Sequence, residues 1–178
     1  MTSEMVGDIL TPRLALIAIT PGSVDAEAAG FGELAKAVGA RAPECWPPEN
    51  WEPHVLQFLR DRFASDPAEI GWHRYIALRE DGAARTLIGT VGGLRRAEKS
   101  GECEIGYSVI AAYHERGYAT EAAQAFVGWA LSHADVEDIV AQTFPSLPAS
   151  IRVMEKCGMA FVGPGYEEET ILYRRVRT

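Results

Sequence analysis

Residues 102–131 read E-C-E-I-G-Y-S-V-I-A-A-Y-H-E-R-G-Y-A-T-E-A-A-Q-A-F-V-G-W-A-L. The first nine, 102–110, are rich in β-branched and aromatic side chains with partial alternation, which predicts a strand. From Ala119 onward, Ala122, Ala123, Phe126, Val127 and Ala130 fall on one stripe at helical spacing. A short turn over 111–116, ending at Gly117, joins the two. The opening amides of such a helix have no carbonyl four residues back, and the helix dipole is positive there. Gly117 has no Cβ and Ala119 keeps the next position small, so a diphosphate can approach the backbone closely. The alternative is a plain strand–turn–helix corner in which Gly117 only relieves the turn.

I-G-Y-S-V followed by H-E-R-G-Y-A-T-E-A resembles the acetyl-CoA-binding motif of the GNAT superfamily of N-acyltransferases, and most closely the RimJ/RimL-like branch that acetylates ribosomal-protein N-termini. His114, Arg116, Gly117, Tyr118, Ala119 and Thr120 occupy the family's cofactor-binding turn, with His114 in place of Gln or Arg and Glu115 where the branch often has Gly. A second stretch, 146–158, S-L-P-A-S-I-R-V-M-E-K-C-G, resembles the branch's second signature. Ser150, Ile151, Arg152, Val153, Lys156 and Gly158 match it, and Leu147 stands where the family has Asn. The resemblance implies an acetyl-CoA-dependent N-acetyltransferase with a primary amine as acceptor, either a protein N-terminus or a small molecule. It also implies two neighbouring strands, over 102–110 and 138–144, that splay apart so that the pantetheine arm fits between them. Main-chain amides at Ser108, Val109 and Ile110 are implied as donors to the reacting oxygen. A non-catalytic CoA-binding module, or an enzyme using another acyl-CoA, is the rival reading.

Acetyl transfer to an amine uses a base for the nucleophile and an acid for the leaving thiolate. Glu102 and Glu104 lie two apart on the predicted strand and so project to one face. Glu104, nearer the loop, is the candidate base, and Glu102 a candidate contact to the amine; pairing with Arg95, Arg96 or Lys99 is the alternative for both. Ser150, near a predicted helix start, is the candidate acid and a cofactor contact; a bond to its own backbone is the alternative. Tyr107 is a candidate wall or hydrogen-bond partner of the substrate, or else a core aromatic. Trp46 and Trp51, with Trp72, could wall the amine site or serve as core anchors. Glu167, Glu168 and Glu169 could attract a cation or form a solvated turn.

The 178 residues suit one domain, with 1–10 as a loose lead-in. The net charge of −8 argues against a general nucleic-acid or anionic-membrane binder. Three cysteines without close pairing argue against a disulfide scaffold. The four histidines lack ligand spacing, so no metal is expected. Neither a membrane-spanning apolar run nor a signal-peptide pattern is apparent, so the expectation is a soluble cytoplasmic protein. The resemblance adds a homodimer through the late strands.

Further strands are predicted over 13–20, 72–79, 86–94, 138–144, 159–163 and 170–176. Helices are predicted over 23–38, capped by Ser23, over 51–64, capped by Asn50, and over 151–157, stopped by Gly158. About seven strands and about four helices make a mixed α/β (α+β) fold. The resemblance makes its sheet mostly antiparallel.

Overall fold

The computed structural model describes residues 6–82 and 84–178. One eight-stranded sheet runs in the order β1-β2-β3-β4-β5-β6-β8-β7. The strands are β1 (Ile9–Leu10), β2 (Leu14–Ala18), β3 (His73–Arg79), β4 (Arg85–Arg95), β5 (Glu102–Val109), β6 (Asp138–Thr143), β7 (Ala160–Pro164) and β8 (Ile171–Val176). The helices are α1 (Pro21–Ala29), α2 (Phe31–Val38), α3 (Pro53–Ser65), α4 (Tyr118–Leu131) and α5 (Pro148–Lys156). Every pairing is antiparallel except that of β5 with β6.

Alternation builds a core on each face. In β2, Leu14 and Leu16 point to one face while Ala15 and Ile17 point to the other. The first face packs on α4 through Ala122, Ala123, Phe126, Val127 and Ala130. The second packs on α1–α3 through Val24, Leu34, Leu56, Leu59 and Phe63. In β5 the odd residues Cys103, Ile105 and Val109 join the α4 core. Glu102, Glu104, Gly106 and Ser108 therefore face the α1–α3 side.

The parallel pairing of β5 and β6 stops early. Only Glu102, Cys103 and Glu104 have partners, namely Asp138, Ile139 and Val140. Beyond Glu104 the two strands diverge, as the resemblance implied.

Several expected boundaries are corrected. The lead-in is built into the fold: Ile9 and Leu10 pair with β2, and Asp8 bridges Arg85 at 2.7 Å. Residues 1–5 of that segment lie outside the described residues. The predicted helix 23–38 is two helices broken at Gly30. That residue sits at φ 143°, ψ 158°; its N–H closes α1 and its carbonyl opens α2, a conformation cheap only for glycine. Thr20, not Ser23, caps α1, with Ser23 completing the capping box. Asn50 takes a left-handed φ of 65° two residues ahead of the actual cap, Glu52, and Pro53 occupies the first turn.

Candidate functional site

The diverging strands open a cleft of about 890 Å3, lined along one wall by Ile105 to Val109 and along the other by Gln142, Thr143 and the start of α5. Its outer end is the turn before α4. Glu115 and Gly117 both take left-handed φ, 60° and 78°. That geometry turns successive amides toward one point. From Arg116 to Thr120, among the described residues, none of these amides donates a hydrogen bond within the protein. A Cβ on Gly117 would lie 3.4 Å from Arg13 Nη2 besides being strained by its φ. Gly117, Tyr118, Ala119 and Thr120 line the cleft, while Arg116 does not. The corner thus has the open backbone and the unpaired donors that a diphosphate requires.

A clamp from the far edge of the sheet holds this corner. Glu121 accepts from Thr11 Oγ1 at 2.6 Å, Arg13 N at 3.0 Å and Arg13 Nε at 2.6 Å. Burial pushes its carboxyl upward, but the donors Thr11 and Arg13 outweigh that and hold it below the ordinary range. Arg13 also donates to the Arg116 carbonyl at 3.0 Å and stacks over the Tyr118 ring at 4.5 Å. His114 is drawn inward: its Nε2 lies 2.6 Å from the Val109 carbonyl. That nitrogen locks the end of β5 to the turn, while the His114 ring still lines the cleft.

The ladder decides which β5 amides face the cleft. Ile110 N donates to Ile88 O at 2.8 Å, and the register continues as Gly89–Val109 and Thr90–Ser108. Antiparallel strands alternate their hydrogen-bonding edge. The amides of Ile110 and Ser108 therefore belong to β4, and the amide of Val109 points into the gap. Of the three donors implied at 108–110, only Val109 has the required direction. Ser108 contributes its hydroxyl instead, donating to the Glu49 carbonyl at 3.3 Å on the α1–α3 side.

Two polar groups face each other across the α4 side of the gap. Tyr107 Oη lies 3.1 Å from Ser150 O and 3.3 Å from Ser150 Oγ. Burial pushes the Tyr107 phenol up to about 12, with the Ser150 hydroxyl opposing only in part. At neutral pH it holds its proton. Leu147, half exposed where the resemblance has Asn, lines the same cleft.

On the opposite face, at the vertex of the gap, Glu104 is a hub. Its Oε1 accepts from Gln142 Nε2 at 2.7 Å, and its Oε2 pairs with Arg96 at 2.8 Å. Gln142 turns its oxygen to Tyr166 N, Glu167 N and Thr170 Oγ1 at 2.9, 3.1 and 3.0 Å. It thereby ties the turn 165–170 to Glu104. Gln142 leaves a faint mark in the sequence: in the run D-I-V-A-Q-T it is a polar residue between two buried ones, Ala141 and Thr143.

Glu102, expected at the amine site, is engaged elsewhere. It pairs with Arg174 at 3.1 Å and accepts from Tyr166 Oη at 2.8 Å. It lines a separate surface cavity of about 690 Å3 beside Arg95 and Arg96. Trp46 and Trp51 do not line the cleft. Both belong to the core beneath α1–α3, and both indoles donate to Glu27. Cys103 and Cys157 are buried, and burial raises their thiols to about 12 and about 11, so neither is a nucleophile at neutral pH.

Comparison with known proteins agrees with this geometry. The family model described as an acetyltransferase (GNAT) domain matches residues 13–160. The uncharacterized N-acetyltransferase YjdG of Bacillus subtilis (strain 168) is 26% identical over 148 residues, 83% of this chain and 86% of its own. A ribosomal-protein alanine acetyltransferase from Vibrio fischeri superimposes with a TM-score of 0.66 at 15% identity, covering 97% of each chain. The spermidine N-acetyltransferase of Vibrio cholerae, solved with CoA and spermine, gives 0.62 at 15%, covering 94% of this chain and 97% of the other. With the family model spanning residues 13–160, which is 148 of the chain's 178, the chain belongs to the GNAT acetyltransferase family.

Proposed function

We propose that this protein moves an acetyl group from acetyl-CoA to a primary amine, with both substrates bound together and the amine attacking directly. The observation that carries the reading is the gap between β5 and β6. It runs through the sheet from the unpaired amides at 116–120, past the Tyr107–Ser150 pair, to the Glu104–Gln142 hub.

The thioester supplies an activated carbonyl and a thiolate leaving group. The amides from Arg116 to Thr120 hold the diphosphate without a cationic side chain. The Val109 amide is the donor aimed where charge grows on the carbonyl oxygen. The Tyr107 hydroxyl, kept protonated by burial, offers a proton to the sulfur side, and Ser150 Oγ stands behind it to replace that proton. Glu104 lies on the opposite face, where each carboxylate oxygen keeps a lone pair beyond its bond to Gln142 or Arg96. There it draws the ammonium form and takes its proton through water. Glu104 sits behind Gln142 and does not itself line the cleft, whereas Glu49 and Glu167 do and suit a cationic approach. The related enzymes named above act on a ribosomal protein and on spermidine, so peptide N-termini and polyamines head the acceptor panel.

The test is thermal denaturation with CoA, acetyl-CoA and NAD, followed by thiol release over that panel. Stabilisation by the two CoA compounds alone, with intersecting initial-rate lines for the two substrates, is the expected result. A chain indifferent to CoA sinks the proposal.

A further inference from the structure

Glu27, on α1, is a buried carboxylate whose three partners are neutral donors. Its Oε1 accepts from Trp46 Nε1 at 2.9 Å and Trp51 Nε1 at 3.0 Å, and its Oε2 accepts from Tyr75 Oη at 2.6 Å. Burial first, and then the adjoining carboxylate, pushes the Tyr75 phenol far above its ordinary range, so it remains a donor. The two indoles stand at the two ends of one strap, residues 46–51, and one oxygen atom holds both. Both rings also pack on Tyr75, at 5.9 and 6.3 Å between centroids. Between them the strap carries Glu49. Its carbonyl receives Ser108 Oγ, and the residue lines the cleft on the face of the sheet where Glu104 lies. Trp46 is buried at the start of the strap and its N–H bonds to Pro43 O; toward Glu49 the backbone is held less, with Trp51 N bonded to Pro48 O and Asn50 at a left-handed φ of 65°.

We propose that Glu27 is a positioning residue for the amine site, holding the strap 46–51, and through it Glu49, at the mouth of the gap beside Ser108. The inference rests on the acyl-transfer reading above. The node is a matter of reach and acceptor geometry rather than of charge. An amide at position 27 can turn its oxygen to both indoles and its NH2 to the Tyr75 oxygen, whereas a carboxylate one methylene shorter cannot reach all three donors.

The experiment compares Glu27→Asp and Glu27→Gln with the wild-type chain by two-substrate kinetics and by amide hydrogen exchange. For Glu27→Asp the KM for the amine rises about tenfold while the KM for acetyl-CoA and the stabilisation by CoA stay at wild-type values. The Trp51 amide exchanges about tenfold faster, and amides in α4 do not change. Glu27→Gln restores the amine KM to within about twofold. A purely structural role would lower the melting temperature and leave both KM values alone, which overturns the inference. So does an equal rise in both KM values, or unchanged exchange at Trp51. A wild-type chain that binds CoA but acetylates no amine overturns the acyl-transfer reading instead, and exchange at Trp51 then decides by itself whether Glu27 anchors the strap.

Discussion

Gly117 and Tyr107 carry opposite kinds of chemistry, one through the side chain it lacks and the other through the proton it keeps. Gly117→Val adds a branched side chain at φ 78°, next to Arg13, and covers the amides behind it. The strain costs about 1–2 kcal/mol of stability. The variant remains folded, and the CoA-induced rise in melting temperature disappears. Tyr107→Phe removes only the hydroxyl that faces Ser150. The expected result in steady-state kinetics is a fall in kcat of about 10²-fold, within the usual range for a positioned proton donor, with the acetyl-CoA KM little changed. Unchanged kcat would show that the thiolate leaves without help from this phenol. Glu104→Gln keeps the bond from Arg96 and loses the negative charge, so kcat/KM for a cationic amine falls by about tenfold or more. A loss of that size for the cationic amine, absent for a neutral hydroxylamine, separates recognition of charge from proton removal.

At the scale of elements, the start of α4 depends on the N-terminal strands. Thr11 and Arg13 hold Glu121, and through it the turn that presents the diphosphate amides. Glu121→Ala is expected to lower stability by about 1–2 kcal/mol, because charged hydrogen bonds are lost at a partly exposed site. It also weakens CoA binding, since the amide corner loses its mooring. The carboxyl is depressed in the folded state, so its contribution is present above the unfolded carboxyl range near 4.5 and is lost as pH falls through the lower folded value. The gap in melting temperature between wild type and Glu121→Ala should therefore close toward pH 3. Boundaries at this scale were partly legible. The stripe at Ala122, Phe126 and Ala130 and the stop at Gly158 were readable because helix periodicity and left-handed glycine are local properties. Gly30 was not read as a break, because a lone glycine within an alanine-rich run has no local mark that tells a hinge from a helical position.

Across the whole molecule, the sheet separates two cores and the reaction gap pierces it between them. Away from the gap, a half-buried imidazole at the start of β3 is expected to make the fold acid-sensitive. Burial, aided by the neighbouring Arg62, lowers the His73 imidazole to about 4, and its Nδ1 is buried without a partner among the described residues. A folded value below the ordinary 6.5 means that the unfolded chain binds the extra proton. Stability is therefore full above about pH 6.5 and declines as pH falls toward 4, by on the order of 2 kcal/mol. Urea titrations at pH 7 and pH 4.5 on wild type and His73→Leu would show the decline in wild type and a flatter profile in the variant. Equal slopes would exclude His73 as the cause. Among the described residues, no helix is long and apolar enough to cross a membrane.

The sequence by itself determined the strand–turn–helix corner at 102–131 and the mixed sheet, and its family resemblance implied the opening between the strands over 102–110 and 138–144. Those features rest on periodicity, glycine placement and a motif confined to neighbouring residues. Only the tertiary structure decided what each polar group does. Glu27 meets Trp46, Trp51 and Tyr75; Glu104 meets Arg96 and Gln142; Tyr107 meets Ser150; and Glu121 meets Thr11 and Arg13. Most of these partners lie far apart along the chain, and a hydrogen bond between distant residues leaves no period or spacing to read. Their pairing is set by the packing of the two cores, which fixes where each side chain ends before its partner can be chosen.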